Sequence, residues 1–151
     1  MIALASDFVG YILKQSIMEY LSKQNIPYKD FGTYSTESCD YPVYAHKAAK
    51  AVQNGECDLG LLFCGTGVGI SLAANKVHGI RCVCCSEPYS AAMARQHNDA
   101  NMLALGTRVV GTELAKMIVH EFLTNQFIGG IHAKRVDMIR EIEQTQTLSS
   151  I

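Results

Sequence analysis

The chain has 151 residues, 48% of them hydrophobic and 18% charged, the balance of a single globular domain rather than a disordered segment. A formal net charge of −1 excludes a whole-molecule field drawing it to nucleic acid or an anionic membrane. Residues 1–7 lack the basic lead and apolar core of a secretory signal, and no apolar run approaches the roughly 20 residues of a membrane span. The six cysteines are therefore expected to be reduced thiols in a cytoplasmic protein.

Residues 2–6 read as a first strand. A helix follows over residues 10–24, with Leu13, Ile17 and Leu21 on one face and Asn25 and Pro27 to stop it. Residues 28–31 are a short second strand ended by Gly32. After a polar loop over 35–42, Tyr44, Ala48 and Val52 mark a helix closed by Asn54-Gly55. Residues 58–64 (DLGLLFC) are a third strand, apolar enough for the sheet interior. A glycine loop and a helix over 70–76 follow. Residues 81–86 form a fourth strand, with Ser86 expected to cap a helix that has Pro88 in its first turn and runs to His97. Residues 102–105 are a fifth strand; Thr112 is expected to cap a helix bearing Leu114, Ile118 and Phe122. A last helical segment after Gly129-Gly130 carries Val136, Ile139 and Ile142.

Strands alternating with helices predict an α/β, doubly wound (Rossmann-like) three-layer sandwich around a five-stranded parallel sheet. One domain spans 1–151, with a C-terminal helical tail from about residue 129. Ligands of such sheets sit at the carboxyl ends of the strands near the switch in strand order. That rule singles out Asp7, Cys64, Ser86 and the stretch around Arg108.

The strongest local signal is Cys64-Gly65-Thr66-Gly67-Val68-Gly69, three alternating glycines between an apolar strand and a helix start. Such a loop can turn several N–H groups toward an anion, or it can be only a tight turn. The spacing is not the dinucleotide G-x-G-x-x-G, the lysine of a nucleotide P-loop is missing before Ser71, and Ile70 stands where a cysteine-phosphatase loop needs arginine. Cys64 reads either as a core filler or as a thiolate base placed beside N–H donors. A thiolate there can abstract a proton α to a carbonyl while the loop amides hold the developing enediolate oxygen. His97 reads as a catalytic acid or as a helix-end surface group. Cys82, Cys84 and Cys85 are expected in the core, because no histidine cluster completes a metal set around them; Cys39 and Cys57 carry no signal. Arg108 and the cluster His132, Lys134 and Arg135 are candidate phosphate ligands, or a solvated basic segment.

Taken together, these residues resemble the type B ribose 5-phosphate isomerase family, which also contains galactose 6-phosphate isomerase subunits. The resemblance covers nearly the whole chain: Ser6-Asp7, Asp40-Tyr41-Pro42, the run from Cys64 to Ser71, Ala74-Asn75-Lys76, Gly79-Ile80-Arg81, Arg95-Gln96-His97-Asn98-Asp99, Leu105-Gly106-Thr107-Arg108 and Gly129-Gly130. It implies an aldose–ketose isomerase with no metal or organic cofactor, interconverting ribose 5-phosphate and ribulose 5-phosphate. By that resemblance Cys64 moves the proton through a cis-enediolate, and His97 with Asp7 opens the furanose ring. Thr66 and the amides of Gly65, Gly67, Val68 and Gly69 hold the enediolate. Asn98 binds sugar hydroxyls, Arg108 and Arg135 bind the phosphate, and Phe8 and His132 are further substrate-binding residues. It also implies a homodimer with shared sites, or a tetramer, with the tail packed on the partner.

Two positions depart from the family's pattern. Phe8 stands where many members have histidine, and Ile131 where they have a phosphate-binding arginine. Losing one charge-assisted phosphate contact costs roughly 1.5–3 kcal/mol. Lys134 compensates, or the substrate is another sugar phosphate (allose 6-phosphate, galactose 6-phosphate or a tetrose phosphate), or the chain is a weakly active sugar-phosphate-binding subunit.

Overall fold

Side chains alternate across a strand, so each strand in the middle of the sheet supplies two different faces. In the computed structural model, which describes residues 1–149, the strands are β1 (Ile2–Ser6), β2 (Tyr28–Asp30), β3 (Leu59–Cys64), β4 (Cys82–Cys84) and β5 (Met102–Gly106). The helices are α1 (Tyr11–Lys23), α2 (Tyr41–Gln53), α3 (Val68–Ala74), α4 (Pro88–Asn98), α5 (Thr112–Thr124) and α6 (Ile131–Thr145). All pairings are parallel, in the order β2-β1-β3-β5-β4. Residues 150 and 151 of the expected tail lie outside the described residues.

Leu4, Leu61, Phe63, Leu103 and Leu105 point to one face, where Leu13, Ile17 and Leu21 of α1 and Ile118, Val119 and Phe122 of α5 cover them, with Ala91 and Ala94 of α4. Ala3, Ala5, Leu62, Cys64 and Ala104 point to the other, under Ala45, Ala48 and Ala49 of α2 and Ile70 and Ala74 of α3. One face is thus built of large aliphatic side chains and the other mainly of methyl groups. From β1 the chain moves to β2 on one side and then crosses to β3 on the other, so the switch in strand order falls between β1 and β3. The carboxyl ends of these two strands carry Asp7 and Cys64, as the topology rule requires.

Several boundaries differ from expectation for local reasons. Ser86 does not cap α4; Glu87 does, its carboxylate accepting the Ser90 N–H at 2.9 and 3.0 Å, which holds that carboxyl below its ordinary pKa. Thr112 is the first residue of α5, and Gly111 is its N-cap. Phe31 ends outside β2 but packs on the alanine-rich face. Leu114 is exposed, and Ala115, Ile118, Val119 and Phe122 make the buried stripe of α5. On α6 only Val136 is buried; Ile139 and Ile142 are 45% and 42% exposed and face an open groove of ≈ 630 Å³ beside the free edge of β4.

Lys14 has no exposed surface, although α1 is otherwise amphipathic. Its Nζ donates to Asp30 Oδ1 at 2.6 Å and to Thr33 O at 2.6 Å, with the Tyr11 and Tyr34 rings 5.6 and 5.5 Å away. Burial pushes the ammonium pKa down, and Asp30 opposes that shift. The lysine fastens the exit of β2 to α1, while the Ser6 N–H donates to Gly32 O and the Thr33 N–H to Ser6 O across β1.

Candidate active site

β3 ends at Cys64, whose side chain is buried on the alanine-rich face. Its Sγ accepts the N–H of Gly67 at 3.1 Å, the pairing a thiolate at this place would use. Gly67 has φ +80, a left-handed conformation natural to glycine, and a Cβ on it would lie 3.0 Å from Leu105 C and 3.1 Å from Gly106 N. A Cβ on Gly69 would strike the Tyr41 ring at 2.8 Å, because Tyr41 lies flush on the loop. Packing therefore requires two of the three glycines. Gly65 is different: a Cβ there would meet nothing nearer than Val9 Cγ1 at 3.7 Å and Arg108 Nη1 at 3.8 Å. That position is left open beside a guanidinium, where a tight-turn reading gives it no purpose.

Thr66 and Val68 are exposed at the loop crest, and the Val68 N–H donates to Thr66 Oγ1 at 3.3 Å. The exit of β5 is laced to the loop: the Thr107 N–H donates to Cys64 O at 2.9 Å and the Arg108 N–H to Gly65 O at 3.0 Å. This backbone ladder sets the exposed Arg108 side chain next to the glycines. Asp7 is buried, its N–H donating to Phe63 O at 3.1 Å and its Oδ1 accepting the Gly10 N–H at 2.8 Å. Its second carboxylate oxygen has no hydrogen-bond partner among the described residues. Phe8 follows it, partly exposed.

The expectation that Cys82, Cys84 and Cys85 are all core fillers needs one correction. Cys82 is buried and its thiol pKa is raised by that burial, and the Cys85 thiol is pushed up to about 11 for the same reason. Cys84 is exposed at the carboxyl end of β4, its Sγ 3.7 Å from Thr66 O. Its pKa is also raised, by burial first and then by proximity to Cys64. Because β4 is short and lies beyond β5, its last side chain emerges at the rim of the loop instead of in the core. Tyr41 and Cys84 border the site without having been singled out by the sequence. Tyr41 lay within a matching motif, but neither residue type signals chemistry by itself.

The remaining candidates form a second group. The His97 and His132 rings stack, with centroids 4.1 Å apart and an interplanar angle of 1°. Desolvation, then His97, then Arg135 push the His132 pKa down. His97 lies in the last turn of α4, which starts after the carboxyl end of β4 and returns to where β5 begins. Arg81, just before β4, donates to the carbonyl of Asn98 at 3.0 Å, which fixes the end of α4 at the amino edge of the sheet. At 1.5 Å per residue the 11-residue helix separates His97 from the Cys64 edge by roughly 15 Å. Within one chain the structure brings Asp7, the glycine loop, Cys64 and Arg108 together, and His97 with His132, but it does not join the two groups. Asn98, Ile131 and Arg135 are exposed on the second group's side.

The family model described as Ribose/Galactose Isomerase matches residues 2–139. The chain is similar to "Ribose-5-phosphate isomerase B" of Escherichia coli (strain K12), at 57% identity over 95% of this chain and 96% of that one. It is similar in structure to Clostridium thermocellum ribose-5-phosphate isomerase B, with a TM-score of 0.95 and 53% identity over 97% of this chain and 99% of the other. The Mycoplasma genitalium ribose-5-phosphate isomerase B, solved with bound ribulose-5-phosphate, superposes with a TM-score of 0.90 at 40% identity, covering 95% of this chain and 96% of that one. With the sheet order, the glycine loop and Cys64 in place, these matches show that the chain belongs to the ribose/galactose isomerase family.

Proposed function

We propose that this protein interconverts ribose 5-phosphate and ribulose 5-phosphate by proton transfer through a cis-enediolate, with Cys64 as the base. The observation that carries the reading is Cys64 Sγ at the end of β3, paired with the Gly67 N–H beneath an open glycine loop. Cys64 takes the C2 proton of the open-chain aldose and returns it to C1. Negative charge developing on the carbonyl oxygen is held by Thr66 and by loop N–H groups whose position costs no rearrangement during the step. His97, with Asp7, moves the proton that opens the furanose ring. Asn98 holds sugar hydroxyls, and Arg108, His132 and Arg135 bind the phosphate. Loop residues Gly65, Val68 and Gly69, with Phe8, line the sugar.

Since His97 and Cys64 sit at opposite edges of one sheet, a complete site requires a second copy of the chain. The protein is accordingly a homodimer whose sites take the Cys64 group from one subunit and the His97 group from the other. The exposed Ile139 and Ile142 on the tail helix support packing of that segment against the partner. Six free cysteines support a cytoplasmic enzyme.

Mixing subunits tests both claims. Cys64→Ala and His97→Ala are each expected to abolish turnover of ribose 5-phosphate while still binding the sugar phosphate. Unfolded and refolded together, they are expected to recover about one quarter of wild-type activity, because random pairing restores one intact site in half of the dimers. Turnover retained by Cys64→Ala would sink the assignment of the base, and no recovery on mixing would sink the shared site. Ile131→Arg, at the exposed first residue of α6, is expected to lower KM for ribose 5-phosphate by roughly tenfold through a new charge-assisted contact to the phosphate. If it harms turnover instead, Ile131 is a specificity device for another sugar phosphate.

A further inference from the structure

We infer that Arg81 is a positioning residue, holding the end of α4 so that His97 and Asn98 face the substrate. The inference rests on the role proposed above for His97. The Arg81 guanidinium spends four hydrogen bonds on two consecutive residues of that helix end. Nε donates to Asn98 O and to Asp99 O, each at 3.0 Å, and Nη2 donates to Asp99 O at 2.7 Å and to Asp99 Oδ2 at 2.9 Å. The last carbonyls of a helix have no partner within it, so a planar fork meeting two of them fixes both the place and the direction of the terminus.

The surroundings show how tightly this terminus is specified. Asp99, the C-cap of α4, adopts a left-handed φ of 46, which ends the helix at Asn98. Its carboxylate is gripped from the other side by Arg95 Nη1 at 3.4 Å and approached by Arg140 Nη2, from α6, at 3.8 Å. The backbone of Arg81 is itself anchored, its N–H donating to Asn101 Oδ1 at 2.8 Å. Asp99 thus links the strand entrance at Arg81 to the end of α4 and, through Arg140, to α6, the two helices that carry the stacked His97 and His132. Arg81 touches no group of the Cys64 cluster, so its loss perturbs ring opening while leaving the proton-transfer step assembled.

That division supplies a readout. Ribulose 5-phosphate stays open-chain because its O5 is esterified. Exchange of its C1 hydrogen with deuterated water therefore needs only Cys64 and the glycine loop, whereas net conversion to the furanose also needs His97. Proton NMR of one reaction gives both rates. Arg81→Ala is expected to lower net conversion about 10- to 100-fold, the cost of misplacing a catalytic group by about 1 Å. The ratio of C1 exchange to conversion is expected to rise at least about tenfold, as is expected of His97→Ala, with no further rise in the double variant. If Arg81→Ala does not fold, Arg81→Lys carries the test: one ammonium cannot meet two carbonyls and a carboxylate together, so the ratio still rises. A ratio unchanged from wild type, or conversion lost with no exchange remaining, overturns the inference. Cys64→Ala separates the two failures, since exchange persisting there breaks the proposed function. Cys64-dependent exchange with a flat ratio in the Arg81 variants breaks only the role of Arg81.

Discussion

Adding one methyl group to the glycine loop, Gly67→Ala, tests the geometry of the Cys64 site most directly. Gly67 carries φ +80, where an L side chain costs about 1–2 kcal/mol. The new Cβ would also lie 2.9 Å from Cys84 Sγ, which can swing aside, and 3.0 and 3.1 Å from Leu105 C and Gly106 N, which cannot, because they belong to a central strand. Relieving the backbone contacts requires the loop to lift, adding roughly 1–3 kcal/mol. Lifting it also carries the Gly67 N–H away from Cys64 Sγ.

The matched control is Gly55→Ala, at φ +75 with nothing within 4 Å of the added Cβ. Urea unfolding should show a loss of about 1–2 kcal/mol for Gly55→Ala and about 2–5 kcal/mol for Gly67→Ala. Initial rates on ribose 5-phosphate should be unchanged in the first and fall about 100-fold in the second, as expected when a donor at the reacting centre is displaced. Adding Cys84→Ala to Gly67→Ala should restore only part of the stability, since the backbone contacts remain. Equal stability losses, with Gly67→Ala turning over within about threefold of wild type, would refute the account of why the loop carries that glycine.

Two further predictions concern charge. Lys14→Met leaves the largely buried Asp30 without its cation and should cost about 3–5 kcal/mol by urea unfolding, with Asp30→Asn added to it costing less than the sum of the single losses. The second concerns His132, whose folded pKa lies below its ordinary 6.5, so the unfolded chain binds the proton more readily. Its contribution to stability is therefore present above pH 6.5 and is lost as pH falls from there toward the lower folded value. His132→Phe, which keeps a ring stacked on His97, should flatten the fall in Tm between about pH 7 and about pH 5.5, whereas a fall as steep as wild type would show that another group titrates there.

Much of the architecture was legible because period and punctuation agree along this chain. Ile2–Ser6 was expected to the residue, and Pro27, Asn54-Gly55 and Pro88 each mark a boundary found close by. The misplaced caps share one cause: Ser86 and Thr112 have the favoured side chains, but Glu87 and Gly111 have the extended backbone that a cap requires. The stripe on α6 could not be read as buried or exposed, because Ile139 and Ile142 face a groove beside an edge strand whose position depends on long-range pairing. The same limit applies to the site. Residues 64–69 are adjacent in sequence, so their chemistry shows locally. The distance from Cys64 to His97 depends on which way α4 runs across the sheet, and residue spacing does not encode that. Lys14 was invisible for a related reason, since its partners Asp30 and Thr33 meet it only after β2 has paired with β1.

The contrast between the sheet's two faces makes them vulnerable to opposite kinds of sequence change. On the side of α1 and α5, the danger is loss: shortening Phe63, Ile118 or Phe122 leaves a void that the surrounding helices cannot close. On the side of α2 and α3, the danger is gain, because Ala3, Ala5, Ala48 and Ala104 are fully buried and a larger side chain there must displace its neighbours. Cys64 projects into that second layer and belongs to the same close packing. A lineage that drifts toward bulkier residues there would push the Cys64 sulfur out of register with its loop well before the fold itself failed.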